Sequence, residues 1–235
     1  PLGLRLDVLH CTPSRLAAYL KLPAFAKAFR QVRAVLSAGE VLFGGFADEL
    51  KQTYGVKVFN GYGPTETTIG ATITQAGDNQ SIGRPIANTG ILLLGKNNLP
   101  VPWGAPGELC IYGEGVGLGY KNLPEKTMEK FVQFEGTRIY KTGDVGRLTD
   151  DGRLLYHGRN DRLIKLRGLR IELPEIENCM ASFSGVAAAA CIVRKLGKSE
   201  HLIGFYTVRS GALVEQSALI RAMREKLPAY MIPDV

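Results

Sequence analysis

Cysteine is scarce in this sequence, with four among 235 residues. Cys11, Cys110, Cys179 and Cys191 are scattered and form no CxxC pair. Cys110 and Cys191 fall in apolar, strand-like runs, which predicts core residues rather than a disulfide framework. No apolar run approaches the ~20 residues that a membrane-spanning helix needs, and no secretory signal heads the sequence. These absences argue against a secreted or membrane-spanning protein, and we expect a reduced, cytoplasmic setting.

Aromatic residues make up only 8% of the sequence, and they do not alternate with basic residues. The net charge of +7 would suit a nucleic-acid partner. However, the basic residues concentrate in Arg159–Arg170 and elsewhere are interspersed with acidic residues. A single-strand binder needs aromatic side chains among its cations. We therefore expect no nucleic-acid partner.

The order of predicted elements in the first third of the chain is typical of an α/β fold. Residues 14–29 have helical spacing that is broken at Pro23, and RAVLSAGE predicts a strand. GGFADELKQTYG predicts a helix that stops at a glycine, and the apolar VKVF (residues 56–59) predicts the next strand. Alternating helices and strands imply parallel strands.

The pattern changes twice further along the chain. From about Thr89, four short strands between Gly/Pro turns predict a β-rich subdomain: TGILLLG, GELCIYG, RIYKTGD and GRLLYHG. After Asp161, a helix (PEIENCMASF), two strands (AAAACIVR and HLIGFYTVR) and a helix over Glu215–Leu227 predict a compact α+β piece. At 45% hydrophobic, the chain can bury a substantial core. We expect a large lobe over residues 1–160 and a small lobe over residues 161–235.

The most informative motif is GRLLYHGRNDRLIKLRGLRIELPEIE, residues 152–177. Five charged residues fall within twelve positions of it and flank Gly158 and Gly168: Arg159, Asp161, Lys165, Arg167 and Arg170, among further charged residues of the segment. Cations next to flexible glycines suit a hinge that meets an anionic ligand. A solvated basic turn before a helix explains the segment equally well when it is taken alone.

NGYGPTE, residues 60–66, follows the VKVF strand, so we predict a loop at a strand end, where α/β proteins bind ligands. Tyr62 offers an aromatic face to a base, Thr65 a hydroxyl to a phosphate, and Glu66 a hard oxygen ligand to Mg2+. The alternative is a strand-to-helix turn with Thr65 as its cap.

YKTGD, residues 140–144, ends on a candidate ribose ligand. A half-buried Asp144 after a glycine turn could accept hydrogen bonds from two ribose hydroxyls. It could equally cap the turn at Val145. The glycine-rich segment at residues 107–131, GELCIYGEGVGLGYKNLPEKTMEKF, we interpret as architecture.

Together with SAGE (residues 37–40) and LPAYMIP (residues 227–233), these motifs resemble those of the adenylation domains of nonribosomal peptide synthetases. Those domains belong to the superfamily that includes acyl-CoA ligases and luciferases. Six motifs in family order span nearly the whole chain. The resemblance implies the adenylate-forming enzyme fold, with the C-terminal part of a large α/β and β-rich lobe followed by a small α+β lobe.

The resemblance also implies a two-step reaction. An amino acid attacks the α-phosphorus of ATP, and the acyl group of the adenylate then passes to a carrier protein's phosphopantetheine thiol. The cofactors implied are ATP/AMP, Mg2+ and that phosphopantetheine. The partners implied are an amino acid substrate, a carrier-protein domain and a neighbouring condensation domain, without a membrane or a nucleic acid.

The resemblance also implies roles for individual residues of these motifs. The nucleotide-binding residues are Asn60, Gly61, Tyr62, Thr65, Asp144, Arg159 and Lys165, of which Thr65 and Lys165 are also assigned to catalysis. Glu66 is the implied metal ligand, Asp161 the hinge between the lobes, and Gly168 part of a loop that enters the site for thioester formation. The resemblance implies a substrate pocket lined by His10, Leu36, Ala38, Gly61, Ile69 and Gly70.

The small residues in that pocket predict room for a larger substrate side chain, aromatic or polar. His10 adds one polar group, unless it is a satisfied histidine at a strand end. Because a hydrophobic pocket discriminates a methylene by only ~1–3 kcal/mol, the wall residues leave several amino acids open.

The sequence departs from the family pattern at Leu163, Pro174 and Leu123, where Gln, Gly and Arg are usual. We expect these positions to affect folding and partners more than chemistry. Four segments that the family leads us to look for are not found in the sequence. They are a Ser/Thr/Gly-rich phosphate loop, the aromatic and Asp segment that anchors an amino group, the stretch of the catalytic lysine, and a carrier serine motif. We therefore expect an internal piece of a larger enzyme, unable to adenylate by itself.

Two other function classes stay open at this point. An acyl- or aryl-CoA ligase of the same superfamily shares the first half-reaction but transfers to free coenzyme A. A non-catalytic module would bind nucleotide or a partner without turnover, although the presence of Glu66, Asp144, Arg159 and Lys165 argues against a degenerate site.

Overall fold

The computed structural model describes residues 6–42, 44–77, 81–160, 163–166, 168–196 and 199–234, apart from the side chains of residues 44, 165 and 199. The chain divides into two compact units, Pro1–Asp161 and Arg162–Val235. Each unit has its own strands and its own buried apolar residues.

Three parallel strands and three helices open the first unit. These elements are β1 (Val8–Cys11), α1 (Pro13–Leu20), α2 (Pro23–Phe29), β2 (Ala34–Ala38), α3 (Gly44–Tyr54) and β3 (Lys57–Tyr62). β2 pairs in parallel with β1 on one side and with β3 on the other. The parallel arrangement predicted from the alternating pattern is confirmed. Pro23 starts α2, as the broken helical spacing indicated, because its fixed φ suits a first turn.

The three helices cover one face of the parallel strands. Leu16, Phe29 and Leu50 from the helices pack with Val35 and Val58 from the strands, and all five are almost fully buried. Because side chains alternate along a strand, the neighbours of Val35 and Val58 point to the opposite face of the sheet. That opposite face carries the predicted pocket residues of β1, β2 and β3.

The remaining strands of the first unit extend the same sheet. They are β4 (Thr72–Gln75), β5 (Ser81–Pro85), β6 (Thr89–Leu94), β7 (Gly107–Gly113), β8 (Phe131–Phe134), β9 (Thr137–Leu148) and β10 (Leu154–Arg159), with α4 (Pro124–Lys130) before β8. In the described residues the strand order is β1-β2-β3-β4-β5-β10-β9-β7-β6, with β8 beside β9. All four strands predicted after Thr89 are confirmed. They do not form a separate sheet, however, because β5 joins them to β4.

The β-rich part has its own buried residues. Leu109 and Leu154 are fully buried in one cluster, and Cys110 and Ile139 in another. Burial raises the pKa of the Cys110 thiol to about 12. Cys191 of the second unit is also fully buried. Both cysteines are therefore core residues, as their apolar surroundings in the sequence predicted.

The structure corrects the prediction of a loop at NGYGPTE. β3 continues through Asn60 and Gly61 to Tyr62, so only Gly63 and later residues leave the strand. The reason is that β3 is paired on both sides: Gly61 lies opposite Ala38 of β2, and Tyr62 opposite Thr72 of β4. Asp144 likewise lies within β9 and does not cap a turn.

The second unit is an α+β arrangement. Its elements are β11 (Leu163–Leu166), β12 (Leu169–Glu172), α5 (Leu173–Ala181), β13 (Val186–Leu196), β14 (Ser199–Val208), α6 (Gln216–Lys226) and a 3-10 turn (Ala229–Met231). β11 pairs with β12, and β13 with β14, in antiparallel hairpins. Ile171, Ile176 and Leu202 are buried in its core. The predicted helices and the pairing of the two long strands are confirmed.

The three departures from the family pattern lie at framework positions. Leu163 is buried in β11, Pro174 lies in the first turn of α5, and Leu123 immediately precedes α4. In the described part of the chain, no helix has the length and apolar character needed to cross a membrane.

Candidate functional site

The carboxylate of Asp144 is the centre of a polar cluster in the first unit. The Arg159 guanidinium donates from Nη1 to Oδ1 over 2.6 Å, and the Tyr156 hydroxyl donates to the same oxygen over 3.3 Å. The Tyr62 hydroxyl donates to Oδ2 over 2.5 Å. The side chains of Asp144 and Arg159 are only 6% and 14% exposed. A buried carboxylate thus receives one cationic and two neutral donors, which compensate for its loss of water.

Strand pairing brings these residues together. Asp144 lies opposite Arg159 in the antiparallel pairing of β9 with β10, where an irregularity separates Tyr156 from Arg159. Arg159 also donates from Nη2 to the carbonyl oxygen of Thr142 over 2.7 Å. The Thr142 hydroxyl accepts from the Asp144 N–H over 2.9 Å. The strand backbone therefore fixes both members of the ion pair.

The phenol of Tyr62 is held in its neutral form. Burial, followed by the charge of Asp144 and the hydrogen bond to it, raises the pKa of Tyr62 well above its usual value of 10. Tyr62 is therefore the donor in its bond to Asp144, and ionisation of the phenol would place two negative charges side by side.

This pKa shift predicts an alkaline loss of stability that depends on Tyr62. A phenol with a raised pKa in the folded protein contributes fully to stability below its unfolded pKa of about 10, and the contribution is lost as pH rises through the folded pKa. We expect the wild-type chain to lose more unfolding free energy than Tyr62→Phe above about pH 10. Urea unfolding of both chains between about pH 8 and pH 11.5 measures this difference. A difference that stays constant across the range would contradict the assignment.

A tight turn after Tyr62 carries Thr65 and Glu66. Residues Thr65–Thr67 form a single 3-10 turn, and the chain then returns so that the Ala71 N–H donates to the Tyr62 carbonyl over 2.8 Å. No longer helix follows, so Thr65 does not cap one. Thr65 is exposed and Glu66 half-buried.

Glu66 is hydrogen-bonded to the segment 114–120, which we call the glycine-rich loop. The Tyr120 hydroxyl donates to Glu66 Oε1 over 2.6 Å, and the Gly117 N–H donates to the Glu66 carbonyl over 2.8 Å. A Cβ on Gly117 would lie 3.1 Å from that carbonyl oxygen, and one on Gly115 would lie 3.0 Å from the Thr67 carbonyl oxygen. These contacts agree with the interpretation of the segment as architecture, and the contact of Tyr120 with Glu66 is one that the sequence analysis missed. The alternating glycines of the loop are a signal of close backbone approach.

Glu66 is a suitable partial ligand for Mg2+. Among the described residues, no group of three or more His, Cys, Asp or Glu side chains is arranged to hold a metal ion. Mg2+ is usually bound through one or two carboxylates together with substrate phosphates, rather than by an all-protein cage. A single carboxylate held by the Tyr120 hydroxyl fits an ion that arrives with a nucleotide.

The predicted pocket residues on the strands are neighbours on one face of the sheet. His10 of β1 lies opposite Leu36 of β2, and Ala38 lies opposite Gly61 of β3. A Cβ on Gly61 would lie 3.1 Å from Leu36 Cδ1 and 3.4 Å from Ala38 Cβ. His10 is exposed, whereas the other three are half-buried.

The other predicted residues are less closely grouped. Ile69 and Gly70 lie in the turn after Tyr62, where Ile69 is 63% exposed. The Asn60 amide donates to the Ser81 carbonyl of β5 over 3.1 Å. Lys165 lies in β11 of the second unit, and Gly168 lies in the turn between β11 and β12 with a φ of 78°. The predicted hinge residue Asp161 and the side chain of Lys165 lie outside the described residues.

Known proteins with similar sequences identify the family. The family described as "AMP-binding enzyme" matches residues 3–121, which is half of the chain. Zwittermicin A synthase ZmaJ of Bacillus cereus is 39% identical over 242 residues, which include 97% of this chain and 46% of that protein. The chain therefore spans about half the length of this relative.

Two solved structures agree with this match. IdnL1 superimposes with a TM-score of 0.88 at 28% identity, over 97% of this chain and 49% of its own. PA1221, a nonribosomal peptide synthetase protein containing adenylation and PCP domains, has a TM-score of 0.80 at 28% identity, over 97% and 47%. The resemblance and the fold predicted from the motifs are confirmed. This chain belongs to the AMP-binding enzyme family of adenylate-forming proteins, with an adenylation domain of a nonribosomal peptide synthetase protein among its relatives.

Proposed function

We propose that this chain is part of an enzyme that activates an amino acid for peptide synthesis without a ribosome. In the first half-reaction, the amino acid carboxylate attacks the α-phosphorus of ATP, which gives an aminoacyl adenylate and releases pyrophosphate. In the second, a phosphopantetheine thiol of a carrier domain attacks the acyl carbon, which gives a thioester and releases AMP. The observation that carries the proposal is the buried Asp144–Arg159 pair, which is hydrogen-bonded by Tyr62, the last residue of the strand that leads into the turn of Glu66.

Asp144 and Arg159 form the proposed ribose site. A carboxylate has about four acceptor positions, and two of its three donors here are neutral phenols. Ribose hydroxyls are neutral donors of the same kind, so they can replace the phenols while the ion pair with Arg159 persists. Tyr62, released from Asp144, would then turn its aromatic face to the adenine, with Asn60 and Gly61 near the edge of the base.

Thr65 and Glu66 form the proposed phosphate and metal site. The exposed Thr65 hydroxyl is available to a phosphate oxygen, and Glu66 would hold Mg2+ together with the nucleotide phosphates. When bound, Mg2+ supplies neutralisation of the charge that develops on the phosphates. Lys165 of the second unit is the proposed cation for the ribose and bridging oxygens, and it would act in catalysis together with Thr65.

The sheet face that carries His10, Leu36, Ala38 and Gly61 forms the proposed acid-binding wall, continued by Ile69 and Gly70 in the turn after β3. Two of the strand residues are small, and Gly61 sits directly against Leu36 and Ala38. This geometry favours an amino acid with a larger side chain, aromatic or polar. His10 would offer the one polar group on the wall.

The two units correspond, in this proposal, to residues 1–160 of a large lobe and residues 161–235 of a small lobe that turns about Asp161 between the half-reactions. Gly168, in the turn between β11 and β12, would then approach the site for thioester formation. PA1221 contains both adenylation and PCP domains, which supports a carrier domain as the partner. A carrier domain in the same polypeptide, a neighbouring condensation domain and a cytoplasmic location belong to the same proposal.

The decisive experiment is ATP–pyrophosphate exchange by the full-length enzyme across a panel of carboxylic acids. Exchange that depends on one or a few amino acids would support the proposal and identify the substrate. Exchange with aryl or fatty acids alone, followed by transfer to free coenzyme A, would instead assign a CoA ligase. Absence of exchange with every acid would remove the proposed activity.

Glu66→Gln is expected to lower Mg2+-dependent exchange by about a hundredfold, because it replaces a charged oxygen ligand by a neutral amide of the same shape. Rates measured over a range of Mg2+ concentrations test this. Glu49→Gln, on the exposed side of α3, is the matched control and should exchange like the wild type. Equal rates for both variants would remove Glu66 from the metal site.

A further inference from the structure

Tyr120 is bonded to the proposed metal ligand from a distant part of the sequence. Its hydroxyl donates to Glu66 Oε1 over 2.6 Å, and 54 residues separate the two in the chain. The Tyr140 hydroxyl, from a residue only 1% exposed, lies 3.4 Å from the Tyr120 hydroxyl. The Glu66 carboxylate therefore accepts a hydrogen bond from a phenol whose own neighbour is the hydroxyl of the buried Tyr140.

The backbone of Tyr120 is fixed by its neighbours. Its N–H donates to the Thr127 hydroxyl of α4 over 2.9 Å. Gly119 has a φ of 136°, and a Cβ there would lie 2.4 Å from Thr127 Cγ2, so only glycine allows this approach. The Tyr120 ring packs edge-on against Phe131 with a centroid separation of 5.5 Å. The backbone and ring contacts of Tyr120 thus fix the position of its hydroxyl.

The rest of the glycine-rich loop is anchored as well. Arg138 of β9 donates from Nη2 to the Leu118 carbonyl over 2.7 Å and to the Gly117 carbonyl over 3.3 Å. Its guanidinium also lies 5.0 Å from the ring centroid of Phe131. Because Gly117 in turn donates to the Glu66 carbonyl, the loop holds both the main chain and the side chain of Glu66.

A hydrogen bond to a charged group stabilises by more than a neutral one, and it restricts the torsion of the acceptor carboxylate. A carboxylate with a fixed torsion loses less conformational entropy when an ion binds. Glutamate has three side-chain torsions, so it gains more than aspartate when its carboxylate is already fixed before the ion binds. Partners that orient a ligating carboxylate affect metal affinity by about 10- to 100-fold in other proteins.

We propose that Tyr120 is a positioning residue that orients the Glu66 carboxylate for a nucleotide-bound divalent cation. The inference rests on the proposed function only for the role of Glu66. Tyr120 touches neither nucleotide nor amino acid in this assignment, and it acts through its bond to Oε1. The glycine-rich loop is therefore part of the metal site and not only a structural connection.

Tyr120→Phe in the full-length enzyme removes the hydroxyl and keeps the ring. We expect the Mg2+ concentration for half-maximal exchange to rise about tenfold, while kcat at saturating Mg2+ stays within about twofold of wild type. Binding of Mn2+ in the presence of α,β-methylene-ATP, followed by the electron paramagnetic resonance signal of free Mn2+, should weaken by the same factor. Tyr112→Phe, on the strand that leads into the loop, is the matched control and should change neither quantity.

Unchanged Mg2+ dependence and Mn2+ binding in Tyr120→Phe would overturn the inference. A uniform loss of kcat with normal metal dependence would also overturn it, because that pattern indicates a general structural role. If the wild type shows no exchange but binds Mn2+ with the analogue, the proposed function fails and Mn2+ binding alone decides the role of Tyr120. If the wild type binds no Mn2+ with the analogue, the metal site and this inference fail together.

Discussion

Asp144→Asn should be among the most destabilising conservative substitutions in the first unit, with an expected loss of about 3 kcal/mol in unfolding free energy. The Arg159 side chain is 14% exposed and would face a neutral amide instead of a carboxylate. Whichever way the amide is turned, its NH2 group meets one of the three donors that now converge on Asp144. In the full-length enzyme, nucleotide binding should fall as well, since the proposed ribose acceptor is lost.

Asp151→Asn is the matched control, because Asp151 pairs with Arg153 over a similar 2.7 Å but at the surface. The side chains of Arg153 and Asp151 are 36% and 53% exposed, so water and salt screen the pair. We expect no measurable change in unfolding free energy for this variant. Urea unfolding followed by circular dichroism compares the two directly. Similar losses in both variants would show that burial does not determine the effect at Asp144.

Gly63→Ala should cost about 3 kcal/mol, because the new methyl group meets main-chain atoms and not a flexible side chain. Its Cβ would lie 2.4 Å from the Ile69 carbonyl oxygen and 2.7 Å from the Ala71 nitrogen. The turn that holds Glu66 would have to open to relieve these contacts. The adenylation proposed for the full-length enzyme should therefore fall together with stability.

Gly70→Ala lies in the same turn and provides the control for Gly63→Ala. Its Cβ would meet only Ile86 Cδ1 at 3.9 Å, which is an ordinary contact. The change in unfolding free energy should stay within about 0.5 kcal/mol. Thermal and urea unfolding of both variants measures the contrast, and equal effects would contradict the close approach at Gly63.

The sequence allowed the local elements of this fold to be predicted, but not how far one sheet extends. The helical spacing that breaks at Pro23 and the strand at VKVF follow from local spacing and proline geometry. The extension of β3 to Tyr62 depends instead on pairing with two strands from elsewhere in the chain. The joining of the β-rich strands to the parallel ones through β5 is likewise a non-local property.

In the candidate site, too, the sequence indicated individual residues but not the contacts between distant parts of the chain. The motifs indicated Tyr62, Asp144 and Arg159 one at a time, but their convergence depends on the order of strands in the sheet. Tyr62 and Asp144 are 82 residues apart, and no local pattern reports such a contact. The contact of Tyr120 with Glu66 was missed for that reason. The nucleotide, metal and substrate roles of the site residues remain predictions, as does the hinge role of Asp161.

Consecutive residues of β3 contact different parts of the first unit. Gly61 faces Leu36 and Ala38, whereas Tyr62 donates to Asp144. Since side chains alternate along a strand, a slip of β3 by one residue would exchange these positions. An insertion or deletion between Lys57 and Tyr62 should therefore disrupt the proposed acid-binding wall and the proposed nucleotide site together. Substitutions that keep the length of β3 should be able to change one without the other.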